Sequence, residues 1–197
     1  MKAFNQQDSE PDEALIRRFQ SGDERAFDQL LLRYQAMVLH VAYKTLQQED
    51  DAKDAAQEIF LKIYRSLAGF KPEARFSTWV YRITVNQCYN VVRSRRRRRW
   101  LAPLQRGAQE SECRQIADPH SDPLEEVERQ ERIRQVRQAL ARLPADQRLA
   151  MVLHRYEGLS YQEIAEAMES SVAAVESRLH RARKKMQRFL SAYVEKT

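Results

Sequence analysis

From Leu15 to Val41 the apolar residues Leu15, Ile16, Phe19, Phe27, Leu30, Leu31, Tyr34, Met37, Val38 and Val41 recur at intervals that keep them on one face of a helix. Ser21-Gly22-Asp23 interrupts the series. The pattern therefore predicts a short helix from Asp12, a turn, and a longer helix to about Leu46. Glu49, Asp50 and Asp51 then supply the negative charge that favours a helix start. The next stripe is Ala56, Ile59, Phe60, Ile63 and Leu67, with Gly69 as a C-cap and Pro72 just beyond. Asp54, Gln57, Glu58 and Lys62 fall outside that stripe, which by itself describes a solvated face.

The helix predicted from Phe76 to about Arg97 carries two stripes. Phe76, Trp79, Val80 and Ile83 make one, and Tyr81, Val85, Cys88 and Val92 make the other on nearly the opposite side. Thr78, Arg82, Asn86, Tyr89 and Arg93 form the sector between them. A helix clamped on two sides with an aromatic-and-arginine face open can both stack on bases and hold phosphates. Periodicity alone leaves an ordinary polar surface equally open. Arg95 to Arg99 follow without a break, and five arginines that cannot be packed repel one another unless an anion is near. A phosphate track is the favoured reading of that run.

Pro103, Gly107, Pro119 and Pro123 mark a linker, acidic in balance through Glu110, Glu112, Asp118 and Asp122. Helical spacing resumes with Val127, Ile133, Val136, Leu140 and Leu143, and Pro144 opens a further helix that Gly158 ends. The stretch from Leu159 to Met186 then reads as a helix-turn-helix. Ser160 and Glu163 make a capping box, and Leu159 and Ile164 make a hydrophobic staple. Glu169, Ser170 and Ser171 supply the turn. In the second helix Val172, Val175, Leu179, Ala182 and Met186 form the buried stripe, while Ser177, Arg181, Lys184 and Arg188 lie opposite. That division into core face and basic, hydrogen-bonding face suits a helix seated in a DNA groove.

Composition sharpens this picture. Only 4 glycines and 6 prolines in 197 residues, with 31% charged, point to an all-α chain of two small helical domains joined by a flexible acidic linker. The expected boundaries are 12–100, 101–123 and 124–195, the last domain holding the helix-turn-helix. A net charge of +6 and a pI near 9.4 suit a polyanionic partner. The 2 cysteines, Cys88 and Cys113, and the 4 scattered histidines build neither a disulfide framework nor a metal site. No apolar run reaches membrane-spanning length, and the N-terminus has no signal-peptide core, so a cytoplasmic location is expected. No nucleophile–base set or phosphate-cradling loop is visible, so neither catalysis nor a cofactor is expected.

Four phrases carry a resemblance: DAAQEIFLKIYRSLAGF at 54–70, FSTWVYRITVNQCYN at 76–90, ARLPADQRLAMVLHRYEGLSYQEIA at 141–165 and VESRLHRARKKM at 175–186. In order and spacing they resemble the extracytoplasmic-function (ECF) sigma factors, the compact two-domain group of the bacterial sigma-70 family, over roughly residues 12 to 192. The resemblance implies a factor that binds core RNA polymerase, directs it to −35/−10 promoters and melts the −10 region. Asp54, Gln57 and Glu58, with Lys62 beside them, match the face that docks on polymerase. Phe70 and Lys71 belong to the loop that holds a flipped −10 base, and Phe76, Trp79, Arg82, Asn86, Asn90 and Arg93 to the helix that opens and reads that element. Ser177, His180 and Arg181 match positions that read the −35 element, with Arg178, Arg183 and Lys184 near phosphates. An anti-sigma partner is also implied. Glu176 departs from the Arg or Lys usual in the family, which alters the −35 preference expected. The loop from Phe70 to Arg75 is likewise not the commonest version. The rival is a stand-alone helix-turn-helix regulator, which leaves the aromatic helix and the arginine run without a task.

Overall fold

Local signals set where most helices begin and end. The computed structural model describes residues 10–71, 75–101 and 123–194, and among these every regular element is helical. The N-terminal half holds α1 (Asp12–Gln20), α2 (Arg25–Leu46), α3 (Glu49–Leu67) and α4 (Phe76–Leu101). The C-terminal half holds α5 (Pro123–Ala141), α6 (Ala145–Arg155), α7 (Tyr161–Ala167) and α8 (Val172–Val194). The acidic residues Glu110, Glu112, Asp118 and Asp122 of the expected linker, and Pro72 to Ala74, lie outside the described residues.

Between α1 and α2 the chain reverses at Gly22, whose φ of +102° is costly for a residue with a Cβ. Arg18 fixes this turn by donating from Nε and Nη2 to Asp23 Oδ2, at 3.0 and 2.6 Å. The end of α3 departs from expectation. Gly69 does not adopt the left-handed C-cap conformation; instead the chain tightens, with Gly69 N donating to Ser66 O and Phe70 N to Leu67 O. The reason lies far away in sequence. Gln20 of α1 donates its side-chain amide to Leu67 O at 3.0 Å and Phe70 O at 2.9 Å, which holds the chain leaving α3 against α1 in this tighter course.

Arg95 also departs from expectation. It is packed rather than free: it donates to Leu46 O at 2.8 Å and pairs with Asp51. One arginine of the run thus caps the C-terminus of α2 and ties α4 to the first turn of α3. Arg96, Arg97 and Arg98 remain exposed.

Leu15, Leu30, Ile59, Ile63, Phe76 and Val80 form the core of α1–α4, and Ala42, Leu46, Ala52, Ala55 and Cys88 extend it. Leu140, Leu143, Met151 and Ala182 join α5, α6 and α8. A further cluster crosses between the halves. Val41 of α2 and Val85 of α4 are fully buried with Leu149, Val152, Leu153, Ile164 and Leu179, and Met37, Tyr81 and Tyr89 pack at its edge. Two expected stripe positions are exposed. Val127 is 66% exposed near the start of α5 and Val172 is 46% exposed at the start of α8, where neither helix is yet covered by a neighbour.

The capping box forms as expected: Glu163 N donates to Ser160 Oγ at 3.2 Å, and Ser160 N donates to Glu163 Oε2 at 2.8 Å. These bonds from the Ser160 backbone and hydroxyl hold the Glu163 carboxyl below its ordinary value. A group lowered in this way stabilises the fold above its unfolded pKa, near 4.5, and loses that contribution as pH falls through the folded value. Glu163→Ala should therefore be less stable than wild type at pH 7, by roughly 0.3–1 kcal/mol. The gap should narrow when both proteins are melted at successively lower pH below 4.5; a constant gap would assign the stabilisation to something other than the carboxylate.

Candidate functional site

Three exposed surfaces hold the candidate residues. On α3, Asp54, Gln57 and Glu58 are exposed, and Leu61, 46% exposed, continues the same helix face. An exposed leucine beside carboxylates gives that surface an apolar centre, which the sequence reading had not marked. Lys62 is different. It is half-buried, and its ammonium donates to Gln87 Oε1 of α4 at 2.5 Å, so it holds two helices together.

The second surface starts at an aromatic trio. The Phe70 ring lies 4.9 Å from Trp79 and 5.5 Å from Phe76, and the Phe76 and Trp79 rings are 5.5 Å apart. Phe76 itself is buried in the core, while Phe70 and Trp79 are half-buried with cations Lys71, Arg75 and Arg82 exposed around them. Tilted and edge-on contacts of this kind contribute roughly 0.5–1.5 kcal/mol per pair beyond area burial. The trio therefore holds Phe70 against the start of α4, and Phe76 acts as its anchor. From there Arg82, Asn86, Asn90, Arg93 and Arg97 follow at intervals of three and four, all exposed, as one row along α4. Tyr89, expected in this sector, instead turns toward the cluster between the halves, where burial pushes its phenol up to about 12.

The third surface is α8. Ser171 N-caps it by accepting from Ala174 N at 3.2 Å, a start signal present in the sequence but not picked out. The turn before it is made by Glu169 at φ +47°, with Ser170 N donating back to Ala165 O at 2.9 Å. Glu176, His180, Arg181 and Lys184 are exposed and Ser177 is half-buried. Arg178 donates to Ser170 Oγ at 2.6 Å and approaches Asp146 of α6 within 3.6 Å, so it braces the turn. Arg183 donates to Tyr161 Oη of α7 at 3.0 Å while staying exposed.

These surfaces belong to one closed body. His40 Nδ1 lies 2.6 Å from Glu157 Oε1, and Tyr81 Oη donates to Glu157 Oε2 at 3.2 Å. Lys44 Nζ sits 4.3 Å above the Tyr156 ring. Between the start of α4 and α7 opens a cleft of about 1100 Å³, lined on one side by Phe70, Lys71, Arg75 and Arg82 and on the other by Glu163 and Glu166. Arg82 Nε approaches Glu169 Oε1 at its edge, at 3.9 Å.

Cys88 is buried, and desolvation pushes its thiol up to about 12, which disfavours the reactive thiolate. Among the described residues no helix is long and apolar enough to cross a membrane, and no group of His, Cys, Asp and Glu could hold a metal ion.

Comparison with known proteins identifies the family of the chain. The models of Sigma-70 region 2 and of Sigma-70, region 4 match residues 30–98 and 133–186. The RNA polymerase sigma-H factor of Pseudomonas aeruginosa is 36% identical over 188 residues, 92% of this chain and 94% of that protein. The ECF RNA polymerase sigma-E factor of Haemophilus influenzae is 37% identical over 175 residues, 87% of this chain and 91% of that protein. Among solved structures, the sigma factor RpoE in complex with the anti-sigma factor NepR from Bartonella quintana matches with a TM-score of 0.67 at 26% identity, covering 84% of this chain and 96% of that one. The two family regions fall on the two helical halves, and the relatives span nearly the whole chain: it belongs to the sigma-70 family, in the ECF group, and is an alternative sigma factor that directs RNA polymerase to promoters.

Proposed function

We propose the following division of labour. The face of α3 made by Asp54, Gln57, Glu58 and Leu61 docks on core polymerase. The row Arg82, Asn86, Asn90, Arg93 on α4, with Phe70, Lys71 and Trp79 at its start, binds the opened −10 strand. The face of α8 made by Ser177, His180 and Arg181 reads the −35 duplex, with Lys184 on its phosphates. Residues 12–100 and 124–195 are then the two functional domains and 101–123 the connection between them.

The observation that carries this reading is the uninterrupted exposed row on α4 beside half-buried aromatics. Opening duplex DNA costs about 1.4 kcal/mol per step on average. A factor with no nucleotide-driven chemistry offsets that cost only by holding the separated strand better than the duplex. Stacking contributes ~1–3 kcal/mol per base, and cations add a sequence-tolerant phosphate term. Phe76 and Lys62 then have supporting roles, the first under the aromatic trio and the second between α3 and α4. Arg178 and Arg183 position α8 through Ser170 and Tyr161 as much as they meet phosphate.

The Bartonella quintana relative was solved bound to an anti-sigma factor, which supports an anti-sigma partner for this chain as well. Acting with RNA polymerase places the work in the cytoplasm, and its role is recognition rather than catalysis. A regulator acting alone binds duplex tightly by itself, usually as a dimer on a palindrome. Run-off transcription with core polymerase, with and without the protein, separates the two: promoter-dependent transcripts only in its presence are expected.

Asp54→Arg with Glu58→Arg should abolish co-purification with core polymerase while melting shifts by less than about 0.5 kcal/mol, as for exposed sites generally. Retained core binding would remove α3 from the docking surface. Arg82→Ala with Asn86→Ala should leave core binding intact and reduce permanganate-reactive thymines in the −10 region, a defect that a pre-melted promoter bubble partly restores. Wild-type reactivity in that variant would mean the α4 row does not open DNA. Arg181→Ala should flatten preference at one or two −35 positions at a cost of ~1–3 kcal/mol, whereas Lys184→Ala should weaken every sequence alike and lower the salt dependence. A uniform loss from Arg181→Ala would move that residue to the phosphate class.

A further inference from the structure

The cleft between α4 and α7 has walls of opposite charge, and this is a device in its own right. Lys71, Arg75 and Arg82 face it from the N-terminal half, and Glu163 and Glu166 from the C-terminal half. Glu169, in the turn after α7, stands 3.9 Å from Arg82 Nε. The field of Arg75 contributes to holding the Glu163 carboxyl low. Lys71 and Arg82 are assigned above to the −10 strand and Arg75 lines the same wall, so the inference rests on that assignment.

Two further observations bear on whether this closed form persists on a promoter. The −35 and −10 elements are separated by about 25 base pairs, or about 85 Å at ~3.4 Å per step. A compact chain of this length is only about 40 Å across, on the scaling of the radius of gyration with residue number. With α4, α6, α7 and α8 sharing one apolar cluster, the two readers cannot reach both elements together, so this interface must part. The interface also carries polar atoms that a permanent core avoids. Gln147 Oε1 and Arg148 Nε of α6, and Thr45 Oγ1 of the α2 that α6 packs against, are buried without a hydrogen-bond partner. The Arg148 guanidinium, which stands in the field of Cys88 on α4, lies at the boundary between the halves and gains water when they separate, which lowers the cost of opening.

We propose that α7 and the turn after it form an internal counter-charge for the strand-binding wall: in the free chain Glu166 and Glu169, with Glu163, occupy the electrostatic place of −10 phosphates and keep Lys71, Arg75 and Arg82 from nucleic acid. Glu157, held by His40 and Tyr81, closes the far side of the same seam. The docking face of α3 lies outside the seam and stays exposed in this closed form. Polymerase can therefore engage the closed chain before the DNA wall is uncovered.

The test uses the full chain with Leu32→Cys and Gln187→Cys as label sites, both exposed, and Cys113→Ser. Cys88 is buried and stays unlabelled. In this background Glu166→Lys with Glu169→Lys, and separately Glu157→Gln, should lengthen the label separation measured by energy transfer. Binding of the Glu166→Lys, Glu169→Lys chain to a fluorescent single-stranded 12-mer of mixed sequence should tighten by about fivefold or more, the lower range of site-to-site coupling. Glu128→Lys with Glu131→Lys on α5 makes the same change of charge away from the seam. That control should leave the separation unchanged and tighten binding much less.

Adding Arg82→Ala and Asn86→Ala should cancel the gain. Unchanged separation in both seam variants overturns the proposal, as does a gain no larger than that of the α5 control. If Arg82→Ala with Asn86→Ala leaves single-strand binding untouched in the opened chain, the strand-binding wall itself is misassigned and both readings fall. If that pair weakens binding but opening the seam does not improve it, the wall stands and only the internal counter-charge is wrong.

Discussion

A nearly buried carboxylate sets how the two halves of this protein meet. Glu157 is 10% exposed, and a charge so far removed from water is tolerated only when it is paired and hydrogen-bonded. His40 from α2 and Tyr81 from α4 supply those partners, one on each oxygen. Burial and the neighbouring carboxylate push the Tyr81 phenol well up, so it remains a donor. The surrounding apolar side chains, Val41, Val85, Leu149 and Leu153 among them, give adhesion without direction. The Glu157 node gives direction, because sliding either helix past the α6–α7 loop would strand the charge. Removing one partner of such a pair is costly in a way that a hydrophobic contact is not.

What was legible in the sequence, and what was not, follows the range of the interactions. Ser160, Glu163, Leu159 and Ile164 announced the start of α7 because a cap and a staple act within five residues. The two stripes of α4 correctly announced a helix buried on two sides. They could not say that Tyr81 and Val85 are covered by the C-terminal half, since periodicity records burial and not the identity of the neighbour. The same limit explains Gly69 and Arg95. A glycine after a helix and an arginine in a basic run each have a common local meaning, and here Gln20 and Leu46, each more than forty residues away, change it.

Within the candidate sites the split is similar. Asp54, Gln57 and Glu58 on α3 and Arg181 and Lys184 on α8 are as open as their helical phase implied. Arg178 and Lys62 are not, because each meets a polar partner on another helix: Ser170 and Asp146 for the first, Gln87 for the second. Glu176 stands exposed on the same face as His180, so a carboxylate lies on the face proposed to read the −35 element. A carboxylate accepts from a cytosine amine and repels phosphate, so it narrows what α8 can sit against.

The tie made by Arg95 gives α4 a metric role. By fixing the far part of the helix to Leu46 O and Asp51, it makes the row from Arg82 to Arg97 a rigid graduation rather than a set of loosely tethered charges. At ~1.5 Å per residue that row is about 22 Å long. A change that frees Arg95 would alter where that row stands relative to α2 and α3 without touching any of the row's own side chains.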